Sequence, residues 1–164
     1  MRILGVDPGI ARTGWGLIEV QSSSRFNRDK VQSYGCIETS ANLEPSERLR
    51  QIYTKITDII KKYKPDAMAV EELFFNTNAK TAFVVGQARG VVLLAAAEKN
   101  VSVAIYTPLQ VKVAVTGYGR AEKSQIGQMV KTILKLKDIP KPDDVADALA
   151  VALTHAFTNK FKEQ

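Results

Sequence analysis

Short apolar runs alternate along this chain with longer stretches in which apolar residues recur at helical spacing. Five of the runs have the length and the bounding turn residues of strands, at residues 3–6, 13–20, 31–39, 67–70 and 101–106. Helical periodicity is found at residues 44–64, 78–99, 108–115, 124–134 and 143–158. Three β elements followed by alternating helices and strands predict an α/β fold, in which a mixed five-stranded sheet is flanked by helices.

Composition narrows the class of protein. The 164 residues are 45% hydrophobic, which suits a single globular domain spanning residues 1–164. Lys and Arg number 23 against 17 Asp and Glu, and the resulting net charge of +6 favours a polyanionic partner such as nucleic acid. Cys36 is the only cysteine, which excludes an internal disulfide and a cysteine-based zinc site. Without a leader or an apolar run of ~18 residues, we expect a cytoplasmic protein with no membrane span.

Acidic residues stand where two of the predicted strands end. Asp7 follows the first strand and precedes a Pro-Gly turn, and Glu71 follows the fourth strand. Asp is also a common turn-initiating residue, so Asp7 taken alone is explained equally well by the turn. Neighbouring strands of one sheet would bring both acids to the same edge. The sequence therefore predicts a pair of carboxylates at one end of the sheet.

The last predicted helix contributes two more acids. Asp144 and Asp147 are three residues apart, so they lie on one helix face with a rise between them of about 4.5 Å. Acids in the first turn also suit the helix dipole, which accounts for Asp143 and Asp144 without any function. Asp147 lies among core-type residues, where a bound cation would offset its desolvation. Carboxylates favour Mg²⁺ or Mn²⁺ over zinc, and two such ions can grip a phosphodiester.

Five segments in chain order resemble the RuvC family of Holliday junction resolvases: GVDPGIARTGWG, AVEELFF, GQARGV, GRAEKSQ and DDVADALAVALTH. The resemblance spans nearly the whole chain. It implies a ribonuclease H-like fold, a homodimer and an endonuclease that nicks two opposing strands of a four-way DNA junction in recombination and repair. It also implies Mg²⁺ as cofactor, with two ions per active site and Mn²⁺ as a substitute. The implied protein partners are the RuvA and RuvB branch-migration proteins.

The resemblance also assigns roles to individual residues. It implies metal-binding catalytic acids at Asp7, Glu71, Asp144 and Asp147, a catalytic and DNA-binding Lys123, and DNA contacts at Phe74 and Lys112. Strand parity allows only one of Glu71 and Glu72 on a given sheet face. Asp143 and Asp147 also share a helix face at i and i+4, so the choice of Asp144 over Asp143 depends on the motif and not on geometry. For either lysine, plain solvation is an equally good explanation.

Phe74 and three other residues have less specific interpretations. Phe74 matches the family's base-stacking aromatic, whereas Phe75 is expected to pack beneath the following helix. His155 is expected to be a structural or helix-capping residue. Cys36 is interpreted as an ordinary core residue.

The long helix at residues 78–99 has apolar residues on several faces, a surface too broad for contact with one sheet. A second buried face predicts a two-fold homodimer packed through this helix. Two symmetry-related active sites would suit a substrate with two equivalent strands.

Three other readings share parts of this pattern. A glycine-rich turn after an acid-ended strand resembles the first phosphate loop of actin-like ATPases and sugar kinases, but those proteins have two such domains and 164 residues leave no room. The alternatives closer to the resemblance are a ribonuclease H-like nuclease of RNA processing, which lacks the DxxDALA ending, and a module that binds branched DNA without cutting it. A non-catalytic module would have little use for four convergent acids.

Overall fold

A computed structural model of the protein describes residues 1–20, 30–72 and 79–162. Within these residues the strands are β1 (Arg2–Asp7), β2 (Arg12–Glu19), β3 (Lys30–Glu38), β4 (Ala67–Glu71) and β5 (Ser102–Tyr106). The helices are α1 (Pro45–Tyr63), α2 (Ala79–Glu98), α3 (Pro108–Thr116), α4 (Lys123–Ile133) and α5 (Asp143–Lys162). Every predicted element is present, and α5 extends past its predicted end at residue 158.

The sheet has the strand order β3-β2-β1-β4-β5. β1 pairs antiparallel with β2, and β2 pairs antiparallel with β3. β1 and β4 are parallel neighbours in a register that places Val6 opposite Val70. Asp7 and Glu71 follow these two residues, so the acids that end the strands lie side by side at one edge of the sheet.

Helices cover both faces of the sheet. One hydrophobic core lies on the α1 and α2 side and includes Leu4, Val6 and Val70, whereas Ile3 and Ala69 belong to the second core, which packs against α5. Because successive side chains alternate between the faces of a strand, Asp7 shares the face of Ile3 and Glu71 shares the face of Ala69. Both acids therefore lie on the α5 side of the sheet.

Three strand glycines let α5 approach the sheet closely. A Cβ at Gly5 would lie 2.0 Å from the carbonyl oxygen of Ala148, and one at Gly14 would lie 1.9 Å from the carbonyl oxygen of Asp144. At Gly16 the clash would be with the side chain of Leu149, at 2.4 Å. Glycine in a strand often marks such a close approach. The first two turns of α5 therefore rest directly on β1 and β2, next to the acids.

The helix α2 carries apolar residues on two sides. Its buried side packs into the core through Ala88, Val92, Ala95 and Ala96, while Phe83 and Leu94 are 67% and 52% exposed. These two exposed residues lie on one stripe, because eleven residues make about three helical turns. No helix in the described part of the chain has both the length and the hydropathy needed to cross a bilayer. The exposed apolar stripe of α2 lies on the side of this helix that faces away from the core.

Candidate active site

Four carboxyl groups meet at the edge of the sheet where β1 and β4 end. Asp7 and Glu71 come from adjacent strands and lie on the α5 side of the sheet. Asp144 and Asp147 come from the first two turns of α5, whose backbone at Asp144 touches Gly14. Gly14 is the residue opposite Asp7 in the pairing of β1 with β2. The close contact of α5 with β2 is therefore what brings the helix acids to the strand acids.

The electrostatic environment of Asp7 reflects the nearness of the other three acids. The pKa of Asp7 is raised from 3.8 to about 7, and burial is the largest cause of this rise. The negative charges of Asp147, Glu71 and Asp144 are the next causes of the rise, in that order. Lys123 acts in the opposite direction and lowers it. An acid with so high a pKa sits in a site where negative charge is concentrated and poorly solvated.

Glu71 responds to the same surroundings. Burial, and after it the neighbouring charge of Asp147, together raise the pKa of Glu71 from 4.5 to about 7. Lys123 and Lys112 lower this pKa, so both lysines lie within electrostatic reach of the carboxyl group. The site thus combines partly buried acids with lysines from α3 and α4.

Two cations pair with the helix acids. The Nζ atom of Lys123 donates to Oδ2 of Asp147 at 3.0 Å, and Nε of Arg12 lies 3.3 Å from Oδ2 of Asp144. The side chains of Lys123 and Arg12 are 76% and 53% exposed, so each pair contributes only about 0–1 kcal/mol to stability. The main effect of the two pairs is to neutralise part of the negative charge of Asp144 and Asp147. Arg12 was missed by sequence reasoning, because only the fold brings β2 beside the start of α5.

The donor set consists of carboxylate oxygens, which hard divalent cations prefer. Within the residues that the structure describes, no group of three acidic, histidine or cysteine side chains is arranged so that it could hold a metal ion as it stands. The four negative carboxylates repel one another, and Asp144 and Asp147 form ion pairs with Arg12 and Lys123. The four acids outnumber the two cations that pair with them, so this group of carboxylates can accept additional positive charge, such as a divalent cation.

The competing acids are placed differently. Glu72 is exposed, and its backbone N–H donates to the carbonyl oxygen of Tyr106 at 2.7 Å. Asp143 is exposed, whereas Asp144 is partly buried and paired with Arg12. The geometry therefore favours Glu71 over Glu72 and Asp144 over Asp143, as the family motifs do.

Three further predictions have different outcomes. Phe74 and Phe75 lie outside the described residues. His155 is buried and its Nδ1 shares a 2.8 Å hydrogen bond with the Tyr106 hydroxyl, as expected for a structural residue. Cys36 packs against the core on the α5 side, as expected, but it is only partly buried, and burial together with Asp144 raises the pKa of its thiol. Its strand lies at the sheet edge, beside Gly14 and the start of α5.

The mixed five-stranded sheet with helices on both faces is a ribonuclease H-like α/β fold. Residues 3–155 match the family model described as crossover junction endodeoxyribonuclease RuvC. A relative with that description, from Desulforamulus reducens, is 60% identical over 156 residues, which cover 95% of this chain and 93% of the relative. The chain belongs to the RuvC family of crossover junction endodeoxyribonucleases.

Two solved structures from Thermus thermophilus have the same fold. The chain matches the structure of RuvC with a TM-score of 0.90 and 39% identity, covering 99% of this chain and 97% of that one. It matches RuvC in complex with a Holliday junction substrate with a TM-score of 0.88 and 37% identity, covering 98% and 96% of the two chains. The predicted fold class and family are confirmed.

Proposed function

We propose that this protein resolves four-way DNA junctions by nicking two opposing strands through metal-dependent hydrolysis of phosphodiesters, in homologous recombination and repair. The observation that carries the proposal is the meeting of four acids from β1, β4 and α5 at one edge of the sheet, in a chain that belongs to the RuvC family. The net charge of +6 suits a DNA substrate. Such a substrate is consistent with a cytoplasmic location.

We propose that Asp7, Glu71, Asp144 and Asp147 bind Mg²⁺, with two ions per site and Mn²⁺ as a substitute. Divalent ions in such a site activate water and stabilise the leaving oxygen of a phosphodiester. The acids bind and neutralise positive charge, and the burial that raises the pKa of Asp7 and Glu71 limits competition from solvent. Lys123, whose Nζ donates to Asp147, would hold its positive charge where it can contact a phosphate bound beside the acids.

Cleavage of defined DNA substrates tests this function. We expect the purified protein to nick a four-way junction in Mg²⁺ at symmetric positions, to leave a linear duplex of the same sequence intact, and to lose activity in EDTA. Nicking of the linear duplex at the same rate would contradict junction selectivity. Junction binding without nicking, in Mg²⁺ and in Mn²⁺, would instead support the non-catalytic alternative.

The proposed enzyme acts as a homodimer that packs through the exposed stripe of α2. The stripe contains Phe83 and Leu94, which are 67% and 52% exposed, on a helix whose other side is already buried in the core. Exposed apolar side chains that line up on one helix face are typical of an interface. A two-fold axis would use the same stripe on both copies.

Replacement of Leu94 by Glu is expected to dissociate the dimer. A charge placed in a buried interface should cost about 2–4 kcal/mol, which is roughly a 30- to 1,000-fold rise in the dimer dissociation constant. Sedimentation velocity at micromolar concentration measures this shift. Leu43→Glu is the matched control, because Leu43 is also exposed but precedes α1. A wild-type protein that sediments as a monomer would contradict the interface.

The remaining contacts follow from the family resemblance. Lys112 and Lys123 are proposed to contact DNA phosphates as point charges, and Phe74 is proposed to stack on bases at the junction. RuvA and RuvB are the proposed protein partners.

A further inference from the structure

The loop between α3 and α4 presents an exposed aromatic ring on a fixed backbone. Tyr118 is 58% exposed. The preceding Gly117 has φ 75°, a left-handed conformation that favours glycine, and its N–H donates to the carbonyl oxygen of Val113 at 2.8 Å. The Tyr118 N–H donates to Oγ1 of Thr116 at 3.1 Å, and the Ala121 N–H donates to the Tyr118 carbonyl oxygen at 3.2 Å. The ring faces solvent while its main chain is held on both sides.

Positively charged side chains flank Tyr118 along the chain, and two of them interact with the acids of the candidate active site. Lys112 on α3 lies within electrostatic reach of Glu71. Lys123 at the start of α4 donates to Asp147 at 3.0 Å. Arg120, within the loop, is exposed. A polyanion bound at the acids through these cations would meet the ring of Tyr118 as it leaves the cluster.

A groove of about 380 Å³ opens beside the ring. Ligand pockets in proteins have volumes of roughly 300–1,000 Å³, so a single nucleobase fits this space. The surface of the groove is mainly apolar with a smaller polar part, which suits a base with an apolar face and a polar edge. The side chains that line it next to Tyr118 include Thr116, Ser124, Gln128 and Met129.

We propose that Tyr118 stacks on a nucleobase that is unpaired at the crossover of the junction, with the groove along α4 receiving that base. The inference rests on the proposed function, because it names a base-binding position for the same substrate. Aromatic stacking accepts any base, and a ring held on a fixed loop loses little entropy on binding. Tyr118 would thus hold the opened crossover next to the acids.

Three substitutions at Tyr118 test the stacking. Tyr118→Ala and Tyr118→Leu remove the aromatic face, and we expect each to weaken binding to a four-way junction in EDTA by about 5- to 150-fold. Tyr118→Phe keeps the face and should bind within about twofold of the wild type. Tyr34→Ala is the matched control, because Tyr34 is 45% exposed on the edge strand β3, and it should leave binding unchanged. Thermal melts establish that the variants compared are folded.

Two further readouts separate stacking from other roles. Loss of stacking should leave the slope of log affinity against log salt unchanged, whereas Lys112→Ala should lower the slope by about one. A 2-aminopurine base placed at each crossover position should fluoresce more brightly in complexes with Tyr118→Ala or Tyr118→Leu than with the wild type or Tyr118→Phe. This comparison does not depend on affinity when binding is saturated.

The inference is overturned if Tyr118→Ala and Tyr118→Leu bind like the wild type with unchanged 2-aminopurine signals. It is also overturned if Tyr118→Phe binds as weakly as Tyr118→Ala, or if the loss at Tyr118 lowers the salt slope. A wild-type protein that does not distinguish a junction from linear duplex would contradict the proposed function itself. That result is seen without any substitution at Tyr118, so the two failures are distinguishable.

Discussion

Asp7→Asn is expected to abolish nicking of a four-way junction while junction binding is kept or improved. The amide preserves the shape of the side chain but removes a charge from the proposed metal site, where metal stabilisation is worth several kcal/mol, or at least about a thousandfold in rate. It also removes repulsion between Asp7 and the DNA phosphates. Single-turnover cleavage in Mg²⁺ and binding in EDTA measure the two effects separately.

The same variant should be more stable than the wild type in metal-free buffer at pH 8. The pKa of Asp7 is raised to about 7, so the folded protein holds this proton more tightly than the unfolded chain does. The stability contributed by protonation is fully present below about pH 4 and is lost as the pH rises through about 7. Because Asn is neutral at every pH, its advantage should grow to on the order of 2–4 kcal/mol between pH 4 and pH 8.

Glu72→Gln is the matched control for this experiment, because Glu72 is an exposed acid beside the cluster. It should cleave like the wild type and gain no stability at pH 8. Nicking by Asp7→Asn at a near wild-type rate would contradict the proposed metal site. Equal melting temperatures for Asp7→Asn and the wild type across the pH range would contradict the charge concentration around Asp7.

Gly14→Ala is expected to lower cleavage by about a hundredfold or more in protein that is still folded. The added Cβ would lie 1.9 Å from the carbonyl oxygen of Asp144, so the start of α5 must move away from β2. A displacement of about 1 Å in a catalytic constellation can cost about a hundredfold in rate. The overpacking should also destabilise the fold by about 1–3 kcal/mol. Cleavage rates are compared at a temperature where melts show the variant to be folded.

Gly16→Ala provides the control for overpacking alone. Its Cβ would meet the side chain of Leu149 at 2.4 Å, and this side chain can move without shifting the acids. A similar loss of stability with little loss of cleavage is therefore expected for Gly16→Ala. If the two variants cleave equally when folded, the contact at Gly14 does not position the acids.

Much of the fold follows from patterns that extend over only a few residues. The apolar stripe of α1 was predicted from its spacing, and its members Ile52, Ile56 and Ile60 are buried. The backbone geometry of a helix or a strand decides which side chains share a face, and this geometry repeats every few residues. A short stretch of sequence is therefore enough to predict the buried face. The same reasoning predicted acids at the ends of two strands, and β1 and β4 do end at Asp7 and Glu71.

Contacts between distant segments were beyond these local patterns. Arg12 pairs with Asp144, and the backbone of α5 packs against Gly14. Both contacts join residues that are far apart in sequence. Cys36 was expected in the core, and it packs at the margin of the core because its strand lies at the sheet edge, next to β2 and the start of α5. Each of these contacts depends on which strands are neighbours in the sheet and on where along the strands α5 crosses them.

The sequence by itself determined the elements, the parity of Glu71 against Glu72, and the family that its motifs resemble. Only the tertiary structure decided that β1 lies beside β4, that Asp143 is exposed while Asp144 pairs with a cation, and that two carboxyl groups have a pKa of about 7. The physical reason is one of range: backbone periodicity acts over a few residues, whereas burial and Coulomb interactions depend on every segment that the fold brings within several ångströms.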